Sequence, residues 1–134
     1  MPAWSRTFHR SLAAAGEARG FLRDVLSHRI PPVVLDDAVL LTSELAVNGV
    51  RHVPAAAGDW LEVSVDQADE ALEVSVRSPG KDFARREDHS RRGEVGGWGL
   101  HLVDQLSSRW GVTPDPDGTA VWFHIDWSTA ESGK

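Results

Sequence analysis

The chain of 134 residues contains no cysteine, which excludes disulfides and thiolate metal sites and fits a reducing compartment. Basic excess is also missing: 14 Lys and Arg stand against 20 Asp and Glu, for a net charge of −6. With no surplus positive charge to neutralise phosphates, direct nucleic-acid binding is not expected. Long apolar runs are absent too. The longest, near residues 38–41, falls far short of the roughly 20 residues that cross a bilayer. The N-terminus lacks the apolar core of a signal peptide. What is present is ordinary for a globular protein, 41% hydrophobic and 25% charged residues. The expectation is one cytoplasmic domain over residues 1–134, without a membrane segment and long enough to bury a core unaided.

The strongest pattern lies in residues 33–53, VVLDDAVLLTSELAVNGVRHV. At 3.6 residues per turn, Leu35, Ala38, Val39, Thr42, Leu45, Ala46 and Val50 fall near one broad face. Pro31 and Pro32 precede it, where proline suits a helix start. Asp36 and Asp37 are expected in the first turns and Arg51 and His52 in the last, the order the helix dipole favours. Glu44, Asn48 and Arg51 stand at i, i+4 and i+7, on one strip of that helix. Such a strip is either an ordinary solvated face or a set able to hold a hydrated cation and its phosphates.

In chain order, the alternation of Trp4, Arg6 and Phe8 with polar residues predicts an N-terminal strand suited to a sheet edge. Ser11 is placed to cap a following helix, in which Gly16 and Gly20 each cost about 1 kcal/mol against alanine. After the long helix the period changes to two. WLEVSVD and ALEVSVRS place Leu61, Val63, Val65, Leu72, Val74 and Val76 inward, an antiparallel hairpin joined by QADEA and stopped at Ser78-Pro79-Gly80. Residues 81–95 carry mixed charge with Phe83 as the one large apolar anchor, the composition of a surface loop or lid. Three glycines, Gly96, Gly97 and Gly99, then open a helix over about residues 100–107. A final hairpin turns at residues 114–118 and puts Val121, Phe123, Ile125 and Trp127 on one face. Strands in antiparallel runs with helices between them predict a two-layer α/β sandwich, its mostly antiparallel sheet covered by helices on one face.

The glycine cluster before a helix suits a phosphate cradle, where backbone N–H groups and the helix dipole meet an anion, and equally suits a hinge. It is not a Walker loop, since no Gly-Lys-Ser/Thr follows, nor a Rossmann fingerprint, since a charged loop precedes it. The six histidines lack metal-ligand spacing, and Ser43 has no readable triad partners. Trp98 is either a lid residue or a packing residue; Arg85, Arg86, Arg91 and Arg92 either reach phosphates or are solvated.

Taken in order, these segments resemble the Bergerat (GHKL) ATP-binding fold, and within it the compact anti-sigma-factor serine/threonine kinases of the RsbW type. The resemblance covers about residues 32–127. Glu44-Leu45-Ala46-Val47-Asn48-Gly49-Val50-Arg51-His52 matches the N box. It implies Glu44 as the general base and Asn48 as the Mg²⁺ ligand, with Arg51 and His52 near the phosphates or bracing the helix end. Val76-Arg77-Ser78-Pro79-Gly80 stands at the first glycine box, and Gly97-Trp98-Gly99-Leu100 resembles the second, which closes over the triphosphate. Gly118-Thr119 resembles the Gly-Thr strand whose threonine holds the adenine-binding water.

One departure is plain. Where that family carries an adenine-binding aspartate, this chain has Ser78, and Asp82 replaces a later glycine of the same box. A neutral hydroxyl accepts a weaker hydrogen bond than a carboxylate, a loss on the order of 1–3 kcal/mol unless compensated. The resemblance therefore implies an ATP- and Mg²⁺-dependent kinase and anti-sigma factor. Its partners would be a sigma factor or an anti-sigma antagonist, and homodimerisation is implied as well. The alternative is a non-catalytic regulatory binding module with a degenerate nucleotide site. A histidine-kinase fragment ranks lower, because no phosphoacceptor helix precedes the domain in this sequence.

Overall fold

The computed structural model describes residues 2–51, 53, 55–80, 100–114 and 116–127. The elements in order are β1 (Ala3–His9), α1 (Ala14–Leu26), α2 (Pro32–Arg51), a 3₁₀ turn (Ala55–Ala57), β2 (Trp60–Ala68) and β3 (Ala71–Pro79). After them come α3 (Leu100–Leu106), β4 (Arg109–Pro114) and β5 (Gly118–Asp126). The strands form one five-stranded sheet in the order β1-β2-β3-β5-β4, and every pairing is antiparallel. β1 is an edge strand, as its weak alternation predicts.

Period-two patterning builds the sheet's inner face. Leu61, Val63 and Val65 of β2, Leu72, Val74 and Val76 of β3, and Val121, Phe123 and Ile125 of β5 are all buried. They share one core with Phe21 and Leu22 of α1, Leu41 and Leu45 of α2, and Leu100 and Val103 of α3. The alternate positions, among them Glu62, Ser64, Glu73 and Ser75, are half-buried on the other face. The result is the two-layer α/β sandwich the pattern predicts. No helix among the described residues is long and apolar enough to cross a membrane. The edge strand is tied to α1 by Phe8 and Phe21, whose rings meet edge to face at 6.1 Å. Arg6 lies over Phe21 at 4.8 Å and Arg29 over Trp4 at 5.1 Å.

Three local expectations are corrected. Ala13, not Ser11, is the N-cap of α1. Ser11 sits two residues earlier, its hydroxyl accepting the Ala13 N–H at 3.2 Å and its carbonyl the Ala14 N–H at 3.0 Å, so it organises the entry turn instead. Because α2 starts at Pro32, its first turn contains no acid, and Asp36 and Asp37 fall in the second turn. There the dipole has largely decayed. Burial pushes the Asp37 carboxyl above its usual pKa, and the charge of Asp36 pushes the same way. The β2–β3 link is also tighter than QADEA. Gln67 and Ala68 pair with Leu72 and Ala71, leaving Asp69 and Glu70 as a two-residue turn, with Glu70 at φ 60°. The left-handed turn residue is thus a glutamate, which composition does not flag.

β5 enters the sheet at Gly118, opposite Pro79. A Cβ on Gly118 would stand 2.0 Å from the Ser78 carbonyl oxygen and 3.0 Å from the Pro79 Cα, both of them backbone atoms. Gly118→Ala is expected to force the strands apart and to lower stability by about 1–3 kcal/mol. Urea unfolding checks this: the midpoint should fall with the slope unchanged, and an unaltered midpoint would mean the strands separate freely.

Candidate functional site

The second half of α2 carries three polar residues that the structure treats differently. Glu44 is half-buried, Arg51 is exposed, and Asn48 is 4% exposed. The Asn48 Nδ2 has no hydrogen-bond partner among the described residues. A solvated strip would expose all three alike. A buried amide with an unpaired donor is costly, about 1–3 kcal/mol, so its retention needs a reason beyond packing. Ser43, next to Glu44, receives a hydrogen bond from the Arg19 guanidinium at 2.8 Å, which bridges α1 to α2.

One residue beyond Asn48, the helix comes hard against the sheet. A Cβ on Gly49 would meet Leu61 Cδ1 at 2.7 Å, Ser78 Cβ at 3.5 Å and Ser78 Oγ at 3.7 Å. The absence of a side chain at position 49 therefore lets α2 close on the end of β3. Ser78 is 4% exposed there and pairs in register with Thr119, which is 1% exposed. The Thr119 hydroxyl donates to the Gly80 carbonyl at 2.8 Å, holding the chain as it leaves β3. Gly80 has φ +86°, open to glycine and strained for other residues, and lies beside Val53 and Ala57. Three of the expected positions, Ser78, Gly80 and Thr119, are thus joined in one cluster. Asn48 is linked to it through its neighbour Gly49.

The remaining expected residues divide. Leu100 starts α3 and is wholly buried in the core, so its side chain is committed to packing. Arg51 borders a cleft of about 220 Å³ between the start of α1 and the end of α2, lined also by Leu12, Ala15, Val47 and Val50. It stands on the α1 side of the helix end. His52, the glycine-box residues Gly97, Trp98 and Gly99, and the arginines Arg85, Arg86, Arg91 and Arg92 lie outside the described residues.

No sequence pattern points to Arg10. It follows the last residue of β1, and its guanidinium donates to the Gly49 carbonyl at 3.0 Å and the Val53 carbonyl at 2.8 Å. It also donates to the Gly58 carbonyl, through Nε at 2.8 Å and through a second nitrogen. Burial lowers its pKa, with nearby Asp59 opposing the shift, yet a guanidinium stays charged. No spacing rule identifies such a residue, since its acceptors are main-chain carbonyls about 39 to 48 positions away.

An antiparallel sheet under helices, with an acid and a buried amide on a helix closed against one sheet end, matches the two-layer sandwich of the GHKL class. The chain belongs to the histidine kinase-like ATPase domain family, whose model matches residues 8–125. That membership carries ATP binding with it. Among solved structures, the chain is similar to the RsbU and RsbW domains of Rv1364c from Mycobacterium tuberculosis. There the identity is 23% and the TM-score 0.71, over 94% of this chain and 32% of that one. It is also similar to the histidine kinase domain of the blue-light activated histidine kinase EL346 from Erythrobacter litoralis. In that case the identity is 19% and the TM-score 0.54, over 90% of this chain and 62% of that one. The chain therefore spans about a third of the first protein chain and less than two thirds of the second, and these likenesses establish the fold. A search of curated proteins finds no match.

Thr119→Val is expected to leave the Gly80 carbonyl unpaired and to lower stability by about 1–3 kcal/mol, whereas Thr119→Ser keeps the donor and most of the stability. Denaturant midpoints of the two variants check this. A loss in Thr119→Ser with none in Thr119→Val would assign the effect to packing of the methyl group rather than to the hydroxyl.

Proposed function

We propose that the chain is an ATP- and Mg²⁺-dependent protein serine/threonine kinase that acts as an anti-sigma factor. It would bind a sigma factor or phosphorylate a serine of an antagonist protein, exchanging partners as it does so. The observation that carries this reading is Asn48, one turn from the carboxylate of Glu44 on the helix that closes on Ser78: its buried Nδ2 has no partner among the described residues and would donate to a phosphate oxygen, with Oδ1 as the metal ligand. A general base and a metal-binding amide in that order are what phosphoryl transfer requires of the protein, because most of its catalysis is positioning and charge neutralisation.

The donor set fits the metal. Mg²⁺ takes oxygen ligands and retains several waters, so one amide carbonyl from the protein, with phosphate oxygens, is an adequate hold. When bound, the ion neutralises charge on the phosphates. The chain's own groups do the rest. Glu44 orients the acceptor hydroxyl and takes its proton as the hydroxyl oxygen bonds to the γ-phosphorus and ADP leaves with the bridging oxygen. Ser78, Thr119 and the Gly80 turn form the base end of the pocket. Leu100 has its side chain buried in the core; by the resemblance, Gly97, Trp98, Gly99 and Leu100 would form the box that closes over the triphosphate. By the same resemblance, Arg51 and His52 would lie near the phosphates or brace the end of α2. A single domain over residues 1–134 and a homodimer belong to the same reading.

Ser78 supports a second reading, a regulatory binding module whose nucleotide site has lost its anchor. The hydroxyl is neutral and shorter than the carboxylate that the fold otherwise places there.

Calorimetric titration with ATP and ADP in the presence of Mg²⁺ separates the two. The kinase reading expects micromolar binding by wild type, lost in Asn48→Ala. It expects Glu44→Gln to bind ATP while losing phosphotransfer by at least about 100-fold, the size of a general-base contribution. Failure of wild type to bind, with recovery in Ser78→Asp, would replace it by the regulatory module.

A further inference from the structure

A helix of the length of α2 leaves its last carbonyls without intrahelical partners. Gly49 O is one of them. In this molecule it is taken up by a side chain from a distant element: the Arg10 guanidinium, which also holds Val53 O and Gly58 O. The Arg10 backbone N–H donates to Asp59 O at 2.7 Å, so main chain and side chain of one residue tie the end of β1 to the whole segment that follows α2. A planar fork of five donors suits several carbonyls converging from different directions, and a positive charge at a helix C-terminus is favoured by the dipole.

What Arg10 grips is the part of the helix that meets the candidate site. Gly49 has Arg10 on its carbonyl and Ser78 against its Cα side. Val53 has Arg10 on its carbonyl and its side chain against Gly80, whose own carbonyl receives the Thr119 hydroxyl. Two short chains of contacts therefore run from one guanidinium, one to Ser78 and the other to Gly80 and Thr119.

We infer that Arg10 is a positioning residue for the nucleotide site, setting the distance between the end of α2 and the Ser78–Gly80 turn and thereby the affinity for the base. The inference rests on the nucleotide-site reading above. Arg10 lies at the carbonyl side of α2 and acts through Gly49 and Val53. Lysine at this position would keep the charge and most of the aliphatic stem, but it presents one ammonium where the guanidinium presents a fork.

The test uses the full chain as wild type, Arg10→Lys and Arg10→Ala. Three quantities are measured: melting temperature, amide hydrogen exchange without nucleotide, and ATP affinity by calorimetry. Arg10→Lys is expected to melt close to wild type while residues 49–53 and 58 exchange faster and the strands are unchanged. ATP should bind it about tenfold more weakly, the size of about one hydrogen bond's net contribution. Wild-type affinity in Arg10→Lys would overturn the inference and leave the nucleotide reading intact. Unchanged exchange at residues 49–53 would overturn it independently of nucleotide, and this arm still decides if Arg10→Ala fails to fold. No ATP binding by wild type would overturn the nucleotide reading itself, together with the inference built on it.

Discussion

The close approach of α2 to the sheet at Gly49 is the constraint on which the rest of the site depends. A helix normally stands off a sheet by the length of its side chains. At Gly49 there is none, and even a methyl group would run into Leu61. The contact brings a helix turn bearing Asn48 alongside the end of β3, where Ser78 faces Gly49. Everything polar in the cluster is fixed from this point. Thr119 is in register with Ser78 because β3 and β5 are paired, and the pairing is close enough that Gly118 tolerates no Cβ. Two glycines, one on the helix and one on the strand, thus bracket Ser78 from two directions.

Around this contact the protein departs from the rules that govern its core. The inner face of the sheet is aliphatic or aromatic until Ser78 and Thr119 continue it, and these two, with Asn48, are buried like the core residues beside them. Thr119 is satisfied by Gly80. Asn48 is not, at its amide nitrogen, among the described residues. Local violations of this kind concentrate where structure serves a ligand rather than stability. Thr42 shows why the inference needs more than an unpaired atom. Its hydroxyl is also buried without a partner among the described residues, but the residues one turn away on the helix, Ala38 and Ala46, are apolar, whereas Asn48 has Glu44 one turn away.

The fold was legible because its elements obey two clean periods. Residues 61–65, 72–76 and 121–125 alternate strictly, and α2 repeats its apolar residues at helical spacing, so strand and helix assignments follow from burial alone. Asn48 was visible as a candidate only because its amide sits one turn from Glu44 in a recognisable N-box pattern. Its burial was not visible, since i, i+4 spacing describes a face and not its depth. Arg10 was invisible for a deeper reason. Its work is done on main-chain carbonyls of Gly49, Val53 and Gly58, and a carbonyl carries no residue identity that a sequence pattern could register. The same holds for the Asp69–Glu70 turn, where a glutamate occupies the left-handed conformation because both strands pair up to its edges.

Ser78 is the residue on which the two functional readings divide, and its surroundings bear on how much was lost with the carboxylate. A carboxylate at this depth would have to be desolvated, and burial of an unpaired ionised group is disfavoured by several kcal/mol in practice. In a site that binds adenine, the amino group of the base offsets part of that cost. A serine in the same place carries no such penalty in the empty protein, since a buried hydroxyl is far cheaper to desolvate than a charge. The substitution therefore weakens the bound state and relieves the free state together. On the nucleotide-site reading proposed above, affinity would fall through the weaker hydrogen bond, while the fold around Gly49 and Thr119 keeps its shape without a ligand. A chain that had abandoned nucleotide altogether would gain further by replacing Asn48 with an apolar residue of similar volume, since a buried polar pair replaced by good packing is often neutral or stabilising. On the reading proposed above, a buried amide beside a neutral base pocket belongs to a site that would hold ATP more by its phosphate end than by its adenine.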